Sequence, residues 1–140
     1  MVNKNTELKK KVIKPKTILV VEDEVPLQDA IKLKMKRKGL NYIPATTAEA
    51  ALLILEKEKP DLIWLDLLMP GMGGFALLEI LRQNPAYRDL PVVIVSVSAS
   101  PEKIRRAFEL NVVDYLVKSH YKLEDILNRV DSFTSKNDNV

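Results

Sequence analysis

The 140-residue chain has no cysteine and a single histidine, His120. Disulfides, thiolate chemistry and cysteine-based zinc sites are therefore excluded, a histidine-rich metal centre has no material to form, and the implied compartment is a reducing one. Long apolar runs are also missing. Stretches such as residues 50–55 fall far short of the roughly 20 apolar residues that span a bilayer, and residues 1–7 lack the apolar centre of a signal peptide. The expectation is a soluble, cytoplasmic protein with no membrane contact.

Apolar residues make up 46% of the chain, enough to close one core, and the length leaves no room for a second folded domain. Charge is unevenly spread. Residues 1–16 hold six lysines against one glutamate, a surplus of +5 that leaves −2 for the remainder out of the total of +3. The pI near 9.0 thus comes from a short basic arm in front of a mildly acidic body, which argues against nucleic acid as the partner. Three regions are expected: a flexible arm over 1–15, a folded domain over 16–133, and a disordered tail over 134–140.

From Lys16 onward, short β-branched runs alternate with stretches of helical period, the pattern of an α/β domain with a parallel sheet. Residues 17–21, Thr-Ile-Leu-Val-Val, are apolar on both faces, as suits a strand covered by helices on each side. Pro26 opens a helix with Leu27, Ile31 and Met35 on one face, and Gly39 closes it in the left-handed conformation. Residues 42–45 form a second strand. Thr46 with Glu49 reads as a capping box for a helix burying Ala48, Ala51, Leu52 and Leu55 and ending at Pro60-Asp61. A third strand spans 62–65. The glycines 71, 73 and 74 loosen a loop before a helix over 75–82, and a fourth strand covers 92–95. Pro101 starts a helix with Ile104, Ala107, Phe108 and Leu110 apolar, ended by Asn111 in a left-handed cap. Residues 115–117 make a fifth strand and 123–133 a last helix.

Five βα units without a repeat fit a flavodoxin-like, doubly wound, five-stranded parallel sheet of order 2-1-3-4-5 with helices on both faces. In such sheets ligands bind beyond the carboxyl ends of the strands, where the order reverses. Charge collects there: Glu22 and Asp23 follow strand 1, Asp66 strand 3, Ser96 strand 4 and Lys118 strand 5. Three carboxylates together repel unless a cation joins them, and Mg²⁺ suits a site of few carboxylates that leaves room for phosphate oxygens. Asp66 is then the nucleophile for phosphorus, with Mg²⁺ and Lys118 neutralising the transferred oxygens and Ser96 donating a hydroxyl. Taken singly, Glu22 or Asp23 could be a helix cap and Lys118 a solvated lysine. Their conjunction at successive strand ends favours the chemistry.

The sequence resembles the receiver domain of two-component response regulators over about residues 16–133. The resemblance rests on Ile18-Leu19-Val20-Val21-Glu22-Asp23-Glu24, on residues 60–72 around Asp66, on Leu90-Pro91-Val92 through Ser96, and on Asp114-Tyr115-Leu116-Val117-Lys118. It implies that Asp66 takes a phosphoryl group from a phosphohistidine of a sensor histidine kinase or histidine phosphotransfer protein. It also implies that Asp23, Asp66 and the Leu68 backbone carbonyl bind Mg²⁺, with Glu22 acting partly through water. Ser96 and Tyr115 would form a switch pair in which the hydroxyl moves to the phosphate and the ring turns into the vacated space, repacking the face made by helix 4, strand 5 and helix 5.

Four positions depart from the family pattern. Val97 replaces a small residue and narrows the approach to Asp66. Ser119 replaces the proline after Lys118, which leaves the bond after Lys118 open to the trans form and the lysine loop to a shift. Gly73 replaces an aspartate, and the apolar Leu68 would shield an acyl phosphate from water. With no effector domain after residue 133, the signal is expected to pass to another chain, including a homodimer through the helix 4, strand 5 and helix 5 face, where Arg105, Glu109, Asp114, Asp125 and Arg129 carry charge. The competing reading is a degenerate receiver acting as a phosphorylation-independent protein-binding module. A phosphohydrolase would want a second acid at position 68, where leucine stands.

Overall fold

Strand β1 (Thr17–Val21) has no polar face because both of its sides are covered. Alternate residues point to opposite faces of a sheet, so Ile18 and Val20 enter one core while Leu19 and Val21 enter another. The computed structural model describes residues 16–138, and the expected basic arm over 1–15 lies outside the described residues. After β1 come α1 (Val25–Arg37), β2 (Asn41–Ala45), α2 (Ala48–Leu55), β3 (Leu62–Leu65), α3 (Gly74–Gln83), β4 (Val92–Ser96), α4 (Pro101–Glu109) and β5 (Asp114–Val117). A single 3-10 turn (Lys118–His120) then leads into α5 (Leu123–Asp138).

The five strands are all parallel, in the order β2-β1-β3-β4-β5. This is the flavodoxin-like sheet expected from the sequence. Ile31 and Met35 of α1 with Ile126, Leu127 and Val130 of α5 cover the face that includes Leu62, Trp64, Val93 and Val95. On the other face α2, α3 and α4 cover Ile63, Leu65, Val92 and Ile94. Both faces being dry explains why β3 reads Leu-Ile-Trp-Leu with no alternation. Among the described residues, no helix is long and apolar enough to cross a membrane.

Several local expectations need correction. The cap of α2 is Thr47, not Thr46: it is the residue with extended backbone, and its Oγ1 accepts the Ala50 N–H at 3.0 Å. That helix stops at Leu55, five residues before Pro60, because the Lys57 and Glu58 N–H groups both turn back to the Ile54 carbonyl. Of the apolar residues noted around α4 only Ala107 is fully buried, and Phe108 is 46% exposed. The last helix runs to Asp138 rather than ending at Phe133, so the tail expected from 134 is helical there. Thr134 is buried with its hydroxyl donating to the Asp131 carbonyl, and no glycine or proline follows to break the turn.

Two contacts fix the two ends of α3. A Cβ on Gly74 would lie 2.4 Å from the Asp66 carbonyl oxygen and 2.7 Å from the Leu67 Cα, so α3 can start this close to the β3 loop only at glycine. Arg82 of α3 donates from Nε to the Leu110 carbonyl at 2.7 Å, and from Nη1 to the Arg88 and Leu90 carbonyls at 3.1 and 2.9 Å. It thereby ties the end of α4 to α3. Gly74→Ala should cost about 3 kcal/mol by overpacking against backbone, and Thr47→Ala about 1 kcal/mol by loss of the cap. Urea denaturation curves would read both, and a Gly74→Ala protein as stable as the parent would contradict the close approach.

Candidate functional site

Parallel strands deliver their C-terminal residues to one edge, and β1, β3, β4 and β5 bring Glu22, Asp66, Ser96 and Lys118 there. Glu22 is fully buried, an unusual state for a carboxylate without a partner. It has two: Oε1 accepts from Lys118 Nζ at 2.7 Å and Oε2 from the Glu24 N–H at 3.1 Å. Asp66 is also buried, its Oδ1 accepting the Leu68 N–H at 3.1 Å and its Oδ2 lying 3.5 Å from Lys118 Nζ. Lys118 therefore bridges the ends of strands 1 and 3 from strand 5.

One oxygen from each of Glu22, Asp23 and Asp66 lies within 4.8 Å of the others. A single ammonium beside three carboxylates leaves an excess of negative charge. An all-oxygen donor set of this kind fits a small hard cation, which can keep waters in its remaining positions. The electrostatics agree. Burial raises the pKa of Asp66, against the lowering effect of the Leu68 N–H and Lys118. Burial likewise raises that of Glu22. For Lys118 burial acts downward, but the hydrogen bond to Glu22 and the charges of Asp66 and Glu22 outweigh it and raise its pKa, so the lysine is held as the cation.

The peptide bond after Lys118 is trans, and the 3-10 turn that follows still lets the ammonium reach the acids. Ser96 is fully buried, and its Oγ accepts the Ser98 N–H at 3.3 Å. The Tyr115 ring is buried too, with its hydroxyl donating to the Ser98 carbonyl at 2.8 Å. Burial raises its pKa. Leu68 is 43% exposed and Val97 59% exposed, so both stand at the rim of the site rather than inside it.

Sequence reasoning missed Gln28 and Tyr42. Gln28 sits on the buried stripe of α1 with Ile31 and Met35, and its amide reaches the Glu22 carbonyl at 3.0 Å. A polar residue on an otherwise apolar stripe was the available signal.

Raised carboxylate pKa values have a defined sign. A folded-state value above the unfolded one favours folding while both states are protonated, below the ordinary aspartyl value of 3.8, and that contribution is lost as pH rises through the folded value. Asp66→Asn should therefore raise the neutral-pH Tm by a few degrees. The gain should shrink with falling pH and vanish below the ordinary value. Thermal melts across pH would check this, and a lower neutral-pH Tm in the variant would contradict it.

Comparison with known proteins gives the same picture. A family model, the response regulator receiver domain, matches residues 18–131. The chain is 33% identical over 101 residues to the phosphate regulon transcriptional regulatory protein PhoB of Klebsiella pneumoniae, covering 72% of this chain and 44% of that protein. The chain thus spans about half the length of the curated relatives it matches. A response regulator receiver protein from Pseudomonas putida superposes with a TM-score of 0.79 at 30% identity, covering 86% of this chain and 99% of that one. The Mn²⁺-bound form of the response regulator Rcp1 superposes with a TM-score of 0.71 at 29% identity, covering 86% and 93%. With the matched region taking in all of the sheet but Thr17 and the whole acidic edge, this chain belongs to the response regulator receiver domain family.

Proposed function

We propose that the protein is a phospho-accepting receiver in which Asp66 takes a phosphoryl group from a phosphohistidine of a sensor histidine kinase or histidine phosphotransfer protein in the cytoplasm. The observation that carries this is the Lys118 ammonium, 2.7 Å from Glu22 and 3.5 Å from Asp66 at the ends of three different strands. Asp66 attacks phosphorus, the P–N bond to the donor imidazole breaks as the P–O bond forms, and the released imidazole keeps the electron pair and takes up a proton. Lys118 is within reach of an oxygen on the transferred group, and Ser96 offers its hydroxyl to another. Asp23, Asp66 and the Leu68 carbonyl would hold Mg²⁺, with Glu22 acting partly through water. When bound, Mg²⁺ offsets charge on the phosphoryl oxygens.

Transmission starts from a buried Tyr115. In the proposed switch the Ser96 hydroxyl moves to the phosphoryl group and the Tyr115 ring turns into the space vacated, which breaks the bond from its hydroxyl to the Ser98 carbonyl. The receiving surface is the face of α4, β5 and α5. There Arg129 and Asp114 are paired at 3.0 Å within the chain, which leaves the exposed Phe108 and Val113 as the apolar part open to another protein or a second copy.

Incubation with Mg²⁺ and acetyl phosphate, followed by mass spectrometry of intact protein and peptides, should show one phosphoryl group on Asp66. Asp66→Asn should show none, and Lys118→Ala should react about 100-fold more slowly. An unmodified wild-type Asp66, with no spectral response to beryllofluoride either, would leave the phosphorylation-independent binding module as the reading.

A further inference from the structure

Gln28 has a bonding pattern that neither the core nor the transfer chemistry accounts for. Its side chain is 4% exposed. Nε2 donates to the carbonyls of Val20 and Glu22, each at 3.0 Å, and approaches that of Ala45 at 3.3 Å. Oε1 accepts from the Tyr42 hydroxyl, which also lies 3.2 Å from the Gln28 carbonyl. The partners leave one way round for the amide. Carbonyls can only accept, so the nitrogen faces the three of them and the oxygen faces the phenol. Rotated by half a turn, the oxygen would oppose three carbonyl dipoles.

The position of these carbonyls matters more than their number. They lie where the pairing of β1 with β2 ends, and there the Glu22 N–H donates to the Ala45 carbonyl at 2.9 Å. Glu22 is thus held on both sides of its backbone, the N–H by Ala45 and the C=O by Gln28. The same turn carries Asp23. Tyr42, on the edge strand β2, holds the other end of the amide through Oε1.

We propose that Gln28, braced by Tyr42, is a positioning residue for the cation site: it fixes the turn after β1 so that the Glu22 and Asp23 carboxylates face Asp66 at a spacing suited to a divalent cation. The inference rests on the proposed Mg²⁺ site. Outer groups that orient metal ligands change metal affinity when removed, typically by about 10- to 100-fold. A residue that only packs changes stability and leaves affinity alone.

The test uses the full chain and its single tryptophan, Trp64, two residues before Asp66. Mg²⁺ is titrated by fluorescence and by calorimetry, and the rate of acetyl phosphate labelling is followed against Mg²⁺. Gln28→Met keeps the volume and removes the donors. It should raise the Mg²⁺ Kd about 10-fold while its labelling rate recovers at saturating Mg²⁺. Tyr42→Phe keeps the amide but leaves its Oε1 without the phenol donor, which loosens the side chain, and should raise Kd by about 3-fold, a smaller outer-shell effect. A folded Gln28→Met protein with the parent's Mg²⁺ Kd overturns the proposal, as does a rate defect that saturating Mg²⁺ does not repair. If Gln28→Met fails to fold, Tyr42→Phe decides: an unchanged Kd overturns the proposal and a raised one supports it. A parent protein that binds Mg²⁺ but takes no phosphoryl group removes the functional reading and leaves the positioning role standing. One that binds no Mg²⁺ removes both.

Discussion

The buried ion pair between Lys118 and Glu22 is the constraint on which the rest of the acidic edge depends. A glutamate with no exposure in a dry sheet end is tolerable only if its charge is met, and the lysine that meets it comes from four strands further along the chain. β1 and β5 are not adjacent in the sheet. The pair therefore reaches across the ends of β3 and β4, and places its cation beside Asp66. The ammonium that makes burial of Glu22 bearable is also the one placed beside Asp66, the residue proposed as the acceptor.

That arrangement follows from the parallel sheet. Only when all strands run the same way do their C-terminal residues share an edge, and only a sheet covered on both faces leaves that edge as the place for polar groups. This is why so much of the site was legible in the sequence. The runs 17–21, 62–65 and 92–95 are apolar on both faces, so the first polar residue after each marks a strand end, and Glu22, Asp66 and Ser96 declare themselves. Lys118 does the same after Tyr-Leu-Val.

The features that escaped are those decided by neighbours in space. Thr46 and Thr47 are chemically equal as caps, and the path of the chain out of β2 picks the second, two residues after the strand has finished at Ala45. The end of α2 depends on two N–H groups returning to one carbonyl, which no breaker residue announces. Phe108 has helical spacing with the inward residues of α4, yet the helix rests on the sheet through Ala107 and leaves the larger ring outside. Gln28 was hidden because its partners are backbone carbonyls of β1 and β2, which carry no side-chain signature. Gly74 was legible as a loosening of the loop, whereas its reason is the backbone of Asp66 pressed against it.

The Arg82 contact bears on how motion could spread. It grips the carboxyl end of α4, farthest from Ser96, while Ala107 alone is fully buried along the helix and the amino end begins just after the serine segment at the site. A rod pinned at one end and lightly seated along its length turns a small push at its free end into rotation about the pin. Displacement at Ser96 to Ser98 would thus reach the surface as a change of tilt in α4, carrying Phe108 with it, while the sheet beneath stays still.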